Sequence, residues 1–441
     1  MATRKDVPWK AVLASTIGNA LEWYDFLVYG YLAVIISKQF FPADDPVVSM
    51  LLTMATFGVG FVVRPIAGIA FGVYADRVGR KAALSTVILL MLVSTAMLAF
   101  SPTYKQVGIL APIIVVCSRV LQGISVGGEF GSATALLIEY APPHRRGFYG
   151  SWQMFAQSIG VLMATLMGAL LTSVFTEEVL SSWAWRIPFV FGLIIGPVGF
   201  YIRRSIEEPD EFLKKPDEQM SLFEIFRRYP TELFVSFALG TVSNVMVYVL
   251  IAYLPIYAVQ SLKTSANAPF VILTLTLLVR MALVPYFGHL SDKIGRKRIM
   301  GTALVIFALA IYPAFIWLSI DPTTHVLLVM ELVFALLMAA ILGPLSTTLA
   351  ELFPTHIRST GLSITYNLSA SLLGGFTPFL LTWLVAVSHN KLMPAHYLVG
   401  FLVLGAVSLL LYKEADSRTT PSKRDDREVA DEAAVRMADT R

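Results

Sequence analysis

Two loops half a chain apart carry nearly the same ten residues. Gly72-Val-Tyr-Ala-Asp76-Arg77-Val-Gly79-Arg80-Lys81 recurs 216 positions later as Gly288-His-Leu-Ser-Asp292-Lys293-Ile-Gly295-Arg296-Lys297. Arg64 and Arg280 precede the two copies by the same eight positions, each inside an apolar run. A second set follows in the same order: Glu139, Pro142, His144 and Arg146 return as Glu351, Pro354, His356 and Arg358, 212 positions on. Two motifs repeating in order between apolar segments describe a duplicated chain whose halves share one fold and run parallel.

The apolar segments are near twenty residues long, enough to cross a bilayer as helices. Twelve are expected, over 11–37, 50–75, 82–100, 108–138, 148–172, 185–203, 231–258, 268–290, 298–318, 325–350, 358–385 and 395–412. The chain is 56% apolar and only 15% charged, too little charge to clothe a soluble surface of this size. The fold class is therefore an all-α membrane protein of twelve helices in two six-helix bundles. Residues 1–203 form the first bundle, 204–230 a cytoplasmic linker, 231–412 the second bundle, and 413–441 a disordered cytoplasmic tail. A short helix lying on the inner membrane face is expected over 221–229.

Basic residues set the orientation. With the amino terminus cytoplasmic, four of the 34 basic residues fall in external loops (Lys38, Lys105, Lys263, Lys391) and four in membrane runs, leaving 26 on the cytoplasmic side. The reverse orientation would place the basic clusters outside. The net charge of +4 is thus an insertion signal, and no basic stripe with interleaved aromatics marks a nucleic-acid partner. The single cysteine, Cys117, excludes an intramolecular disulfide and a cysteine metal cluster, and is expected to be inert packing. The first apolar run is too long for a signal peptide and is expected to remain as the first helix. No phosphate loop, His-Glu-x-x-His or paired cysteine is present, so the reading includes no enzyme activity, no cofactor and no metal.

In the repeated loop, glycines let helix ends approach closely. Asp76 can accept hydrogen bonds from a helix amino terminus, whose dipole favours an anion. Arg77, Arg80 and Lys81 can meet carboxylates on neighbouring helix ends, with Glu139 a candidate. Such a latch would hold the cytoplasmic side shut; the competing reading is a solvated turn. The gating set is Gly72, Asp76, Gly79, Arg80 and Glu139 with Gly288, Asp292, Gly295, Arg296, Glu351 and Arg358.

Ionisable side chains inside membrane helices point to function. Glu22 and Asp25 share one face of the first helix, ~18 and ~22 Å along it if it enters near residue 10. Arg119 lies ~13 Å down the fourth helix, at similar depth. Two carboxylates facing an arginine suit a proton-coupled site for an anion or zwitterion, with Arg119 clamping a substrate carboxylate in bidentate fashion. A purely structural ion pair is the alternative. Glu129, ~15 Å below Arg119, serves as a proton exit, a gate partner or a plain ion pair. Glu331 stands at the repeat position of Arg119, either pairing with Arg280 or lining the outer cavity. Gln122, Tyr24, Asn244, Tyr248 and Asn367 are polar or aromatic groups suited to orienting a small substrate, or to packing and interface anchoring. His144 and His356 lie in loops and are not proton carriers.

These residues resemble a known family. Gly18-Asn19 with Glu22-Trp23-Tyr24-Asp25-Phe26, Arg64-Pro65, Gln122-Gly123 with Gly127-Gly128-Glu129, Trp185-Arg186-Ile-Pro188 and Glu207-Glu208 are similar to the metabolite–proton symporter family of the major facilitator superfamily. The likeness covers most of residues 15–410. In the second half, Ser243-Asn244-Val, Tyr253-Leu-Pro255-Ile-Tyr257 and Phe353-Pro354-Thr-His356-Ile-Arg358 look closest to its osmolyte branch. The resemblance implies a monomeric inner-membrane protein with both termini cytoplasmic, importing a small carboxylate-bearing solute with protons. A zwitterion such as proline or betaine is expected; a di- or tricarboxylate such as ketoglutarate or citrate is the alternative. A non-transporting receptor on the same fold would need a larger soluble output region than 204–230 or 413–441.

Overall fold

A computed structural model describes residues 9–204, 206–213, 220–254, 257–258 and 268–414. The expectations for Lys214 and Lys215, for Pro255 and Lys263, and for the tail beyond Glu414 lie outside the described residues. The described residues form helices joined by short turns and loops, without strands. The first bundle holds α1 (Trp9–Tyr31, continued by Ala33–Phe40), α2 (Pro46–Val78), α3 (Arg80–Ala99), α4 (Leu110–Tyr140), α5 (Arg146–Val174) and α6 (Ile187–Arg204). The second holds α7 (Pro230–Val247), α8 (Ala268–Ile294), α9 (Arg296–Ile320), α10 (Thr324–Glu351), α11 (Arg358–Ser369, resuming over Thr377–Ser388) and α12 (Met393–Leu411). Eleven described helices are long and apolar enough to span a membrane, and the bent α1 pair makes twelve.

The first span differs from the continuous helix expected over 11–37. It turns by 67° between Tyr31 and Ala33. At the repeat-equivalent place α7 loosens into a π-helical stretch, Tyr248–Tyr253, and α11 does the same over Ala370–Gly374. A π turn inserts one extra residue per turn and rotates every side chain beyond it, so apolar periodicity does not disclose it.

Between α6 and α7 the chain forms one turn of helix (Asp210–Leu213) and a short helix (Leu222–Arg228). The second starts at a capping box in which Ser221 and Glu224 satisfy each other's backbone amides. The bundles meet through α2 and α4 against α11, and through α5 against α8 and α10. Because α2 corresponds to α8 and α5 to α11 in the repeat, α2–α11 and α8–α5 are one contact made twice. Small residues permit it: a Cβ at Gly72 would lie 2.8 Å from the Thr360 Cα, and one at Gly288 2.6 Å from the Gly147 carbonyl.

Candidate functional site: a double latch and a buried charge cluster

At one end of the molecule the repeated motif closes the halves on each other. The turn after α2 needs a residue with φ of 130°, and the turn after α8 one of 110°, which Gly79 and Gly295 supply. A side chain at Gly79 would also strike Glu208, 2.3 Å from the added Cβ. Asp76 crosses to the other half and caps α11. It accepts from the backbone N–H of Ser359 (3.1 Å) and Thr360 (2.7 Å) and from the Thr360 hydroxyl (2.6 Å). Asp292 does the same for α5, accepting from the N–H of Gly147 (2.7 Å) and Phe148 (2.9 Å). In each case a carboxylate neutralises orphan amides at the positive end of a helix dipole.

Arginines extend both caps. Arg80 donates to Asp76 at 2.6 Å, to both oxygens of Glu139 at 2.8 and 3.0 Å, and to the Thr355 carbonyl at 2.8 Å. Arg358 reaches back across the interface to Glu139 at 2.9 Å. Arg296 lies 3.0 Å from Glu351 and 3.5 Å from Asp292. The chain between the halves joins in. Glu208 accepts from the amides of Arg80 and Lys81, both at 2.9 Å, capping α3. Glu211 bridges Arg146 (2.8 Å) and Arg358 (3.1 Å) and accepts from Thr355 (3.1 Å). Burial raises the Glu211 acid, but Arg358 and Arg146 outweigh it and hold the carboxyl below its usual range.

Deeper in the molecule lie the membrane-embedded charges. Glu22, Asp25, Arg64, Arg119, Glu129 and Arg203 are all buried. Asp25 receives the Gln122 amide and lies within Coulombic reach of Arg119. The Arg119 guanidinium sits over the Tyr29 ring at 4.4 Å, and none of its three nitrogens has a hydrogen-bond partner. Glu22 has different neighbours: Arg64, Glu129 and Arg203. Glu129 is ion-paired to Arg203, which also donates to the carbonyls of Ala14 (3.1 Å) and Leu84 (2.8 Å). That pair ties α1, α3, α4 and α6 together.

Comparison with known proteins accounts for this arrangement. Residues 10–218 match the family model described as Sugar (and other) transporter, and residues 270–436 match Major Facilitator Superfamily. A proline/betaine transporter of Salmonella typhimurium is 36% identical, over 94% of this chain and 86% of that protein. The chain belongs to the major facilitator superfamily. Its relatives place it among the metabolite–proton symporters there. They include a glycine betaine/proline/ectoine/pipecolic acid transporter of Dickeya dadantii, 35% identical over the same shares of each chain. A solved proton:xylose symporter, XylE, bound to 6-bromo-6-deoxy-D-glucose has the same fold, with a TM-score of 0.75 at 19% identity over 93% of this chain and 96% of that one. The protein is a transporter and not an enzyme.

Within the transporter, the residues expected to contact substrate have internal partners. The Tyr24 hydroxyl is bound to the Pro188 carbonyl at 2.9 Å and its ring packs on Phe191, inside the first bundle. The Gln122 amide is occupied by Asp25. Asn367 donates to the Gly127 carbonyl (2.7 Å) and Ser363 carbonyl (2.9 Å), so it cements α11 to α4. Asn244 joins α7 to α11 through Ser369 at 3.0 Å. Among the described residues, Arg119 packs on Tyr29 and lies beside Asp25, both of the first bundle, which sets it apart from a clamp between the halves. Glu22 and Asp25 likewise do not form one pair facing Arg119. Tyr248 presents its ring to the opposite half, edge-on to Phe61 at 6.2 Å. Cys117, expected as inert packing, is exposed.

Sequence reasoning missed Glu211 and Glu414, and named Glu208 without its capping role; Glu414 hydrogen-bonds the Arg296 amide as Glu208 does that of Arg80. Their shared trait is a carboxylate a few residues past the end of the sixth helix of each half, a signal too short to stand out unaided. Arg280 and Glu331 are within Coulombic reach of each other, and Arg280 contacts Ser158 of the first bundle at 3.2 Å.

Proposed function

We propose that this protein imports a small zwitterionic osmolyte such as proline or betaine together with a proton. The relatives named as proline/betaine transporters, alike over 94% of the chain, support the substrate class. One observation carries the coupling: Arg119 is sealed inside the first bundle without a hydrogen-bond partner, and Asp25 beside it is its compensating charge. A buried cation held by one carboxylate makes the protonation state of that carboxylate energetically decisive. Asp25 takes and releases the proton. Glu22 and Glu129 are the next carboxylates toward the latched end.

In this reading the latched end faces the cytoplasm, with both chain termini on that side. The described structure then has its cytoplasmic side closed, and rocking of the bundles must break both Asp76 and Asp292 contacts. Uptake of labelled proline and betaine into proteoliposomes under an imposed pH gradient tests this. Asp25→Asn should still exchange substrate for substrate but fail to concentrate it. Uphill accumulation by Asp25→Asn would remove Asp25 as the carrier. Competition by ketoglutarate and citrate, with none by proline or betaine, would move the substrate to the carboxylic acids.

A further inference from the structure

We infer that Arg64 receives the carboxylate of the transported zwitterion, and that Tyr248 and Tyr366 across the bundle interface receive its cationic end. This rests on the proposed osmolyte reading and assigns its binding site. Alternating access requires a site near mid-membrane that both bundles touch, because each must let go of the substrate in turn. Among the described residues, Arg119 meets Tyr29 and Asp25 of its own bundle. Arg203 is paired to Glu129; Arg280 does reach the first bundle, but it gives that donor to Ser158 and has Glu331 beside it.

Arg64 meets the requirement. It is buried, its Nε has no hydrogen-bond partner, and its guanidinium lies 5.5 Å from the Phe61 ring. Phe61 of α2 also touches the other half, by Tyr248 of α7 and by α11, where a Cβ at Gly375 would lie 2.9 Å from the ring. Tyr366 of α11 stacks on Phe130 of α4 with centroids 3.5 Å apart and planes within 4°. Arg64 is within Coulombic reach of both tyrosines. Its backbone is pinned as well: the Arg64 carbonyl would lie 2.7 Å from a Cβ at Gly127, so α2 and α4 are in contact at this turn.

The chemistry selects a zwitterion. A planar guanidinium binds a carboxylate in bidentate fashion, and tyrosine faces hold a quaternary or secondary ammonium. Glu22, with one oxygen unpartnered, stands within reach of Arg64. The π-helical stretches begin at Tyr248 and four residues after Tyr366, where backbone can readjust around a ligand.

Exchange of labelled proline in proteoliposomes, with betaine and choline as competitors, tests the assignment. Choline keeps the quaternary ammonium and lacks the carboxylate. Arg64→Gln should weaken proline and betaine on the order of 100-fold and abolish the preference for betaine over choline. Arg64→Lys, which keeps the charge without the fork, should lose less and retain the preference. Arg119→Gln should retain exchange affinity within a few-fold and lose accumulation. Monodispersity in detergent separates loss of binding from misfolding, and Arg64→Lys carries the test if Arg64→Gln does not fold. An Arg64→Gln protein with normal affinity and normal preference overturns the inference, as does their loss on Arg119→Gln. A wild-type protein that exchanges neither proline nor betaine refutes the osmolyte reading instead.

Discussion

The latch built on Asp76 and the latch built on Asp292 come from one repeated sequence, yet they are not equally strong. Both carboxylates cap a helix of the opposite bundle through two backbone amides. Around Asp76, Arg80 is hydrogen-bonded to two carboxylates and two carbonyls, Glu139 is shared with Arg358, and Thr360 adds its hydroxyl. Around Asp292, Arg296 stands 3.5 Å away with Nε and Nη2 making no aligned hydrogen bond, and one oxygen of Glu351 has no partner. The difference traces to what lies over each motif. The connection between the bundles lays Glu208 and Glu211 across the first latch, whereas the second receives Glu414 alone of these three acids. Motif identity therefore sets the geometry of a latch, and the covering chain sets its strength.

That asymmetry is open to measurement. A Cys117→Ser protein carrying Ser359→Cys reports opening of the latched end by its rate of labelling with an impermeant maleimide. Ser359 is buried and its hydroxyl makes no hydrogen bond, so the exchange costs little. The largest effect is expected from Arg80→Ala, which takes the cation from Asp76 and leaves Glu139 with Arg358 alone; removing one member of a buried pair costs about 3–5 kcal/mol. Arg296→Ala should cost less, and equal labelling rates for the two would break the comparison.

The middle effect belongs to the acids. Asp76→Asn and Asp292→Asn each lose charge-assisted bonds to a helix terminus, about 1.5–3 kcal/mol, with Asp76→Asn the larger because Thr360 and Arg80 also lose a partner. Substrate uptake should fall in the same order while membrane insertion is retained. Wild-type uptake from both variants would return the motif to a solvated turn.

The smallest effect is expected at Glu211, whose side chain is 30% exposed. Glu211→Gln should speed labelling by an amount worth about 1 kcal/mol or less. The sign of its pH dependence follows from its lowered pKa. The carboxylate's contribution is complete above the ordinary glutamate range and is lost only as pH falls through the lower folded value. Labelling should therefore be insensitive to pH through Glu211 near neutrality and accelerate in acid, and Glu211→Gln should remove the acid-dependent part. A neutral-pH transition that disappears in Glu211→Gln would contradict the arrangement.

The sequence by itself determined the twelve helices, the two bundles and the two motif-bearing turns. These follow from local properties: run length against bilayer thickness, apolar content, and a glycine wherever φ must be positive. The identities of the buried charges were equally plain, since an arginine or carboxylate inside an apolar run is conspicuous. Their pairing was not. Glu22 and Asp25 are three residues apart, yet one is placed with Arg64, Glu129 and Arg203 and the other with Arg119 and Gln122. Spacing along one helix fixes a shared face but not which neighbouring helix each side chain meets. Tertiary structure alone decided that Asp76 reaches residues more than 280 positions away, that Tyr24 and Gln122 turn into their own bundle, and that Glu211 spans both halves. Such choices depend on how helices distant in sequence rotate and pack around one another. In a low-dielectric interior every cation and carboxylate must find its partner there, so packing, not order along the chain, assigns the roles.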